Sequence, residues 1–122
     1  AMNDLMRPAL YGAHHDVLPL NAASDDAPLS PADLVGPVCE STDRFAKDRP
    51  LPPLSEGDRI AFLSAGAYGA VMSSQYNARP LVPEVLVDGD SYQIVRRRPS
   101  FEDMIALETP VEPARLSAAG RD

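Results

Sequence analysis

"PEVLVDGDSYQIVRRR", residues 83–98, decides the fold class. Two runs rich in β-branched and aromatic residues flank Asp88-Gly89, the dipeptide that tight hairpin turns prefer. The stretch predicts two antiparallel strands joined at Asp88-Gly89. "SFEDMIALE", residues 100–108, comes next. Ser100 stands where an N-cap belongs and Asp103 where a capping box closes, while Met104, Ile105 and Leu107 give this short helix an apolar side. After Glu108 the chain turns small, polar and proline-containing. This predicts a folded domain over residues 1–108 and a disordered tail over 109–122.

Upstream of the hairpin, "RIAFLS" (59–64) reads as a strand. "AGAYGAVMSSQYN" (65–77) opens with a glycine-flanked turn and continues as one or two helical turns. "ESTDRFAKDRPLPPLSEGD" (40–58) has no sustained period and is expected to be a long loop. "LVGPVC" (34–39), broken by Gly36-Pro37, reads as an edge strand or a bulged one. Residues 21–33 are small, polar and proline-containing, a loop. "HHDVLPL" (14–20) alternates like a strand, and residues 2–12 form a helical turn expected to end or kink at Pro8. No internal repeat is visible. Short strands between turn signals predict a mainly β domain, a Greek-key-like barrel with a few short helices at its ends.

The bulk numbers agree with a small globular domain. The chain has 122 residues, 44% hydrophobic and 24% charged, enough for one modest core. Its 13 prolines argue against long helices. Eighteen acidic residues against 11 basic give a net charge of −7. Such a surface binds nucleic acid poorly, since phosphate recognition needs cationic charge, and Arg96-Arg97-Arg98 is too short a run to reverse that. A single cysteine excludes an internal disulfide framework and fits a reducing, cytoplasmic setting. No apolar stretch approaches the ~20 residues of a membrane helix. The opening "AMNDLMRPALYG" reads like the interior of a longer polypeptide.

Three places can carry chemistry. Cys39 is followed directly by Glu40. Strand neighbours point to opposite faces, so the two share a site only if the strand ends between them. A thiol donates or accepts a proton and a carboxylate holds an ammonium group, but a small core cysteine beside a solvated acid has the same sequence. In "LSAGAYGA" (63–70), Gly66 and Gly69 permit positive φ and close ligand approach, and Tyr68 projects a hydroxyl; a glycine-lined packing turn looks the same. In "RPALYGAHH" (7–15), Arg7 and Tyr11 are four apart and share one face of a helix. Together they can grip a carboxylate. His14 and His15 diverge on a strand and have no further ligands at useful spacing, so no metal site is expected. Lys47, the only lysine, lies in a charged run and reads as a solvated surface residue.

"MNDLMRPALYGAHH", "GPVCESTDRFAKDRPLPPLSEGD" and "SAGAYGAVMSSQYNARPLVPEVLVDG", in that order and spacing, resemble the carboxy-terminal part of the diaminopimelate decarboxylases. These belong to the fold-type III pyridoxal-phosphate decarboxylases. The resemblance runs from about Met2 to Glu108, and glutamate after the cysteine resembles this branch rather than the ornithine branch. It implies the β-domain of an enzyme that converts meso-2,6-diaminopimelate to L-lysine and carbon dioxide. It also implies a homodimer with shared active sites, and an amino-terminal TIM barrel, absent from this chain, that carries the Schiff-base lysine. Residue by residue, Arg7 and Tyr11 match positions that bind the distal carboxylate of the substrate. Glu40 matches the residue that holds its distal ammonium, with Ser41 assisting. Tyr68 matches the tyrosine that contacts pyridoxal 5'-phosphate near its phosphate, and Cys39 the thiol that returns a proton. Two other readings stand beside this one: a non-catalytic dimerisation or regulatory β-domain, and a decarboxylase for another basic amino acid.

Overall fold

The computed structural model describes residues 1–21 and 26–111. Along the chain run α1 (Arg7–Tyr11), β1 (Val17–Pro19), β2 (Ser30–Val35), β3 (Arg44–Leu51), β4 (Ile60–Phe62), α2 (Gly66–Met72), a 3-10 turn (Tyr76–Ala78), β5 (Glu84–Asp88), β6 (Ser91–Arg96) and α3 (Phe101–Ile105). The domain is mainly sheet, and its helices are short. The strands pair antiparallel as three two-stranded ribbons, β1 with β4, β2 with β3 and β5 with β6. Among the described residues they do not close into a barrel. The expected tail lies outside the described residues beyond Val111.

The hairpin at 83–98 is present, with its turn moved by one residue. Asp88 pairs with Ser91, so Gly89 and Asp90 are the central positions. Gly89 has φ 59°, and glycine with positive φ at the first central position is the requirement of a type II′ turn. Ser100 caps α3: its hydroxyl accepts from the Asp103 N–H at 3.1 Å, and the Asp103 carboxylate accepts from the Ser100 N–H at 2.7 Å. Asp103 also receives the Arg97 guanidinium on both oxygens, at 2.5 and 2.8 Å.

Three local expectations need correction. Pro8 does not end α1; it sits in its first turn, where the missing N–H would have had no helical partner. Residues 40–58 are not one loop, for Arg44–Leu51 is the longest strand of the domain. β2 also begins earlier than expected, at Ser30. The register explains why β3 lacks a period. Ala32 pairs with Arg49 but Leu34 with Ala46, and Val35 with Arg44, so β3 carries extra residues at two steps. Each bulge reverses the in-out alternation. Asp48 takes φ 49° there, and its N–H donates to Asp33 Oδ1 at 2.8 Å.

The core lies between the first two ribbons. Val17, Leu34 and Leu51 are buried, with Ala32, Phe45, Ala46, Ile60 and Phe62 packed around them. The Phe45 and Phe62 rings stand 4.9 Å apart, tilted by 48°. The β5–β6 hairpin contributes nothing to it. Leu86, Val87, Tyr92 and Ile94 are all more than half exposed.

Between β2 and β3 the chain makes a tight turn around Asp43, which is only 2% exposed. Its carboxylate accepts from the Val38 N–H at 2.7 Å and the Met2 N–H at 2.6 Å. Gly36 leaves room for it: a Cβ there would lie 2.2 Å from Asp43 Oδ2. Gly36→Ala is therefore expected to cost about 1–3 kcal/mol through overpacking, read as a lower urea midpoint. At α3, Ser100→Ala removes a cap worth about 1 kcal/mol. Arg97 and the Ser100 N–H hold the Asp103 carboxyl well below the usual carboxylate range. A depressed folded-state pKa stabilises above the unfolded value, near 4, and that stabilisation fades as the pH falls. The protection factors of the amides in residues 103–105, taken against the intrinsic exchange rate at each pH, should fall on acidification below about pH 4.

Candidate functional site

The chemistry-bearing residues fall into two groups. The first is built on α1 and α2. Arg7 and Tyr11, four apart on α1, stand on one helix face, and Tyr11 is 67% exposed. α2 approaches this helix through Gly69, which is buried. A Cβ at Gly69 would meet Leu5 Cδ1 at 3.5 Å, an ordinary van der Waals contact, so α2 packs here against the run that leads into α1. Tyr68 thereby comes beside Arg7, whose Cζ lies 5.5 Å from the centre of the tyrosine ring. Gly66 and Gly69 do not use positive φ; both are ordinary helical residues. The expected glycine turn is thus the start of α2, and Gly69 is buried there against Leu5.

The second group is the turn over residues 36–43. β2 ends at Val35, so Cys39 and Glu40 are free of strand alternation, and both face solvent. Asp43 fixes this turn from beneath. Besides the two bonds to its carboxylate, its carbonyl accepts from the Gly36 N–H at 2.8 Å and its own N–H donates to the Glu40 carbonyl at 3.0 Å. The Glu40 carboxylate has two hydroxyl neighbours. Tyr76 donates its O–H to Oε1, and Thr42 Oγ1 stands 3.4 Å from Oε2. The Tyr76 phenol is pushed above its ordinary value of 10.0, first by that hydrogen bond, then by the Glu40 charge. Sequence reasoning missed Tyr76. Its only local signal was the "QYN" step, where asparagine favours the left-handed conformation that Asn77 adopts.

The structure brings Arg7 to Tyr68 and leaves Cys39, Glu40 and Ser41 in a separate group. Among the described residues no hydrogen bond or ion pair joins the two. Residues 1–5 lie between them: Met2 binds Asp43, and Asn3 binds the backbone of Ser74. A groove of about 510 Å³ between α1 and β3 is walled by His14, Arg44, Lys47 and Arg49, without a carboxylate. Of the candidate residues only Ser41 lines it. The two histidines diverge. His14 faces Asp16 and Arg49, whereas His15 is buried with Nδ1 3.0 Å from the Leu63 carbonyl.

Tyr68 is 63% exposed and its hydroxyl has no hydrogen-bond partner among the described residues. With Arg7 over its ring, this corner suits contact with an anionic ligand such as a phosphorylated pyridoxal. Lys47 does not suit a covalent link to one. Its side chain is 64% exposed on β3, 4.0 Å from Asp48, where nothing desolvates the amine. No helix among the described residues is long and apolar enough to cross a membrane.

Comparison with known proteins supplies a family. Residues 1–66 match the pyridoxal-dependent decarboxylase, C-terminal sheet domain family. The diaminopimelate decarboxylase of Zymomonas mobilis is 48% identical over 112 residues, covering 92% of this chain and 26% of that protein. The Vibrio cholerae enzyme of the same name is 52% identical over 109 residues, covering 89% and 25%. Among solved structures, diaminopimelate decarboxylase from Helicobacter pylori complexed with L-lysine superposes with a TM-score of 0.78 at 47% identity, covering 88% of this chain and 26% of that one. The M. jannaschii enzyme, also in complex with L-lysine, gives 0.82 at 34% identity, covering 90% and 25%. The chain thus spans about a quarter of the length of these relatives. Its matched sheet region and its identity to them place it in one group: the chain belongs to the pyridoxal-dependent decarboxylases, as their C-terminal sheet domain.

Proposed function

We propose that the chain is the substrate-reading part of a diaminopimelate decarboxylase, forming L-lysine and carbon dioxide from meso-2,6-diaminopimelate. The observation that carries the reading is the exposed Cys39-Glu40 pair on a turn fixed by Asp43. Relatives of that name at about half identity support it. The reading assigns the folded domain to residues 1–108. A Greek-key-like barrel would be completed by strands from outside this chain, and the bare β5–β6 hairpin is where one would add. The lysine that holds the cofactor belongs to an amino-terminal TIM barrel. Two chains form a cytoplasmic homodimer, and Cys39 and Glu40 of one serve the site of the other. That arrangement suits their separation here from Arg7, Tyr11 and Tyr68.

Pyridoxal 5'-phosphate, when bound, supplies the electron sink for the departing carboxylate. The residues of this chain orient and protonate. Tyr68 contacts the cofactor near its phosphate. The far end of the substrate is a zwitterion: Arg7 with Tyr11 takes its carboxylate, and Glu40, assisted by Ser41, its ammonium. Cys39 holds a proton on Sγ for the carbon that loses its carboxyl group. A substrate with an amine but no distal carboxylate leaves Arg7 unpaired, which discriminates against ornithine and lysine as substrates.

In the complete enzyme, Glu40→Gln is expected to lower kcat/KM for diaminopimelate by roughly tenfold to a hundredfold, as loss of a charge-assisted contact should. An unchanged value would remove Glu40 from substrate recognition. Cys39→Ala is expected to lower kcat more than it raises KM, and normal turnover would remove Cys39 as proton donor. Carbon dioxide release from diaminopimelate with added cofactor tests the whole reading. The chain alone should be inactive and should gain activity on mixing with the lysine-bearing barrel. Activity of the chain alone would overturn the division of labour.

A further inference from the structure

Glu40 sits on an exposed turn, and a glutamate there has rotamers to lose before it can hold a ligand. Tyr76 constrains it, with its O–H on Oε1. Oε2 keeps only the 3.4 Å approach of Thr42 Oγ1, so it remains available to a cation. The tyrosine is itself held at a backbone cost. Asn77 and Ala78 follow it with φ 59° and 54°, two successive left-handed residues. Asparagine tolerates this conformation, but alanine does not, at roughly 1–2 kcal/mol. Strain of this kind persists where the surroundings over-determine it.

Those surroundings lead back to the turn that carries Glu40. The Tyr76 N–H donates to Ser74 Oγ at 3.4 Å. Ser74 exchanges bonds with Asn3, its N–H to the Asn3 carbonyl at 2.9 Å and its carbonyl from Asn3 Nδ2 at 3.1 Å. Asn3 is 1% exposed, and the neighbouring Met2 N–H donates to Asp43, which holds the turn. The contacts thus form a closed circuit through Asp43, Met2, Asn3, Ser74, Tyr76 and Glu40. That circuit aims one phenol at one carboxylate oxygen, and the two left-handed residues follow it directly in the chain.

We propose that Tyr76 is a positioning residue, which orients the Glu40 carboxylate so that its second oxygen meets the distal ammonium of the substrate. This rests on the role given above to Glu40. A phenol is protonated at neutral pH, so the Tyr76 hydroxyl donates there. Tyr76 acts on binding and not on the bond-breaking step, so its effect belongs in KM and in the affinity for L-lysine, which retains the distal zwitterion.

The test is a double-mutant cycle in the complete, cofactor-loaded enzyme, read by steady-state kinetics and by calorimetric titration with L-lysine. Tyr76→Phe is expected to raise KM and weaken L-lysine binding by about threefold to tenfold, the loss of one hydrogen bond to a charge, with kcat within about twofold. On a Glu40→Gln background the same substitution should change neither further. Tyr76→His, which returns a ring donor, should recover part of the loss; a ring that only packs would be served equally by Phe. Equal losses from Tyr76→Phe on both backgrounds would overturn the proposal, as would normal L-lysine binding by Tyr76→Phe where Glu40→Gln binds weakly. If Glu40→Gln itself binds L-lysine normally, the role of Glu40 fails, and the proposal with it.

Discussion

The buried carboxylate of Asp43 ties the domain together. A carboxylate removed from water must find donors, and Asp43 finds them in the backbones of Val38 and Met2. One bond closes the turn that carries Cys39 and Glu40. The other, 41 residues away in sequence, brings the amino-terminal run against that turn. Hydrogen bonds to charged groups are worth roughly 1.5–3 kcal/mol each, and breaking one leaves a buried charge short of a partner. Position 36 is glycine because the carboxylate fills the space where a side chain would stand. The same residue therefore holds Met2 of the amino-terminal run and the turn between β2 and β3 that carries Cys39 and Glu40.

The hydrophobic core does less of this work than is usual. Among the described residues only Val17, Leu34 and Leu51 form its buried centre, and Leu5 is buried apart from them under α2. Two-stranded ribbons are marginal in water, and one of the three here shows its apolar side chains to solvent. This agrees with a chain that spans about a quarter of its relatives' length. Where burial is thin, polar contacts of long sequence range hold the geometry, and they converge on the turn at residues 36–43 and the segment around Ser74.

The division of the polar residues has a chemical sense. Cation and phenol, Arg7 and Tyr68, lie together on one side, while acid and thiol lie on another. An arginine within reach of Glu40 would neutralise the charge that an ammonium ligand needs. Tyr76 offers a neutral donor instead, which fixes the carboxylate without cancelling it.

The sequence by itself determined what depends on near neighbours. The turn of the hairpin at 83–98, the capping box at Ser100 and Asp103, and the placing of Arg7 and Tyr11 on one short helix were legible because each rests on spacings of four residues or fewer. So was the family, through ordered motifs. β3 was not legible, since its two bulges scramble the alternation that marks a strand, and those bulges exist only against β2. The start of α2 reads as a glycine turn in the sequence, because a glycine in a helix and a glycine at positive φ are the same letter. The approach of Tyr68 to Arg7, and of Tyr76 to Glu40, belongs to the tertiary structure alone. These residues are tens of positions apart, and what joins them is the single carboxylate of Asp43 and the buried amide of Asn3, whose partners no local pattern names.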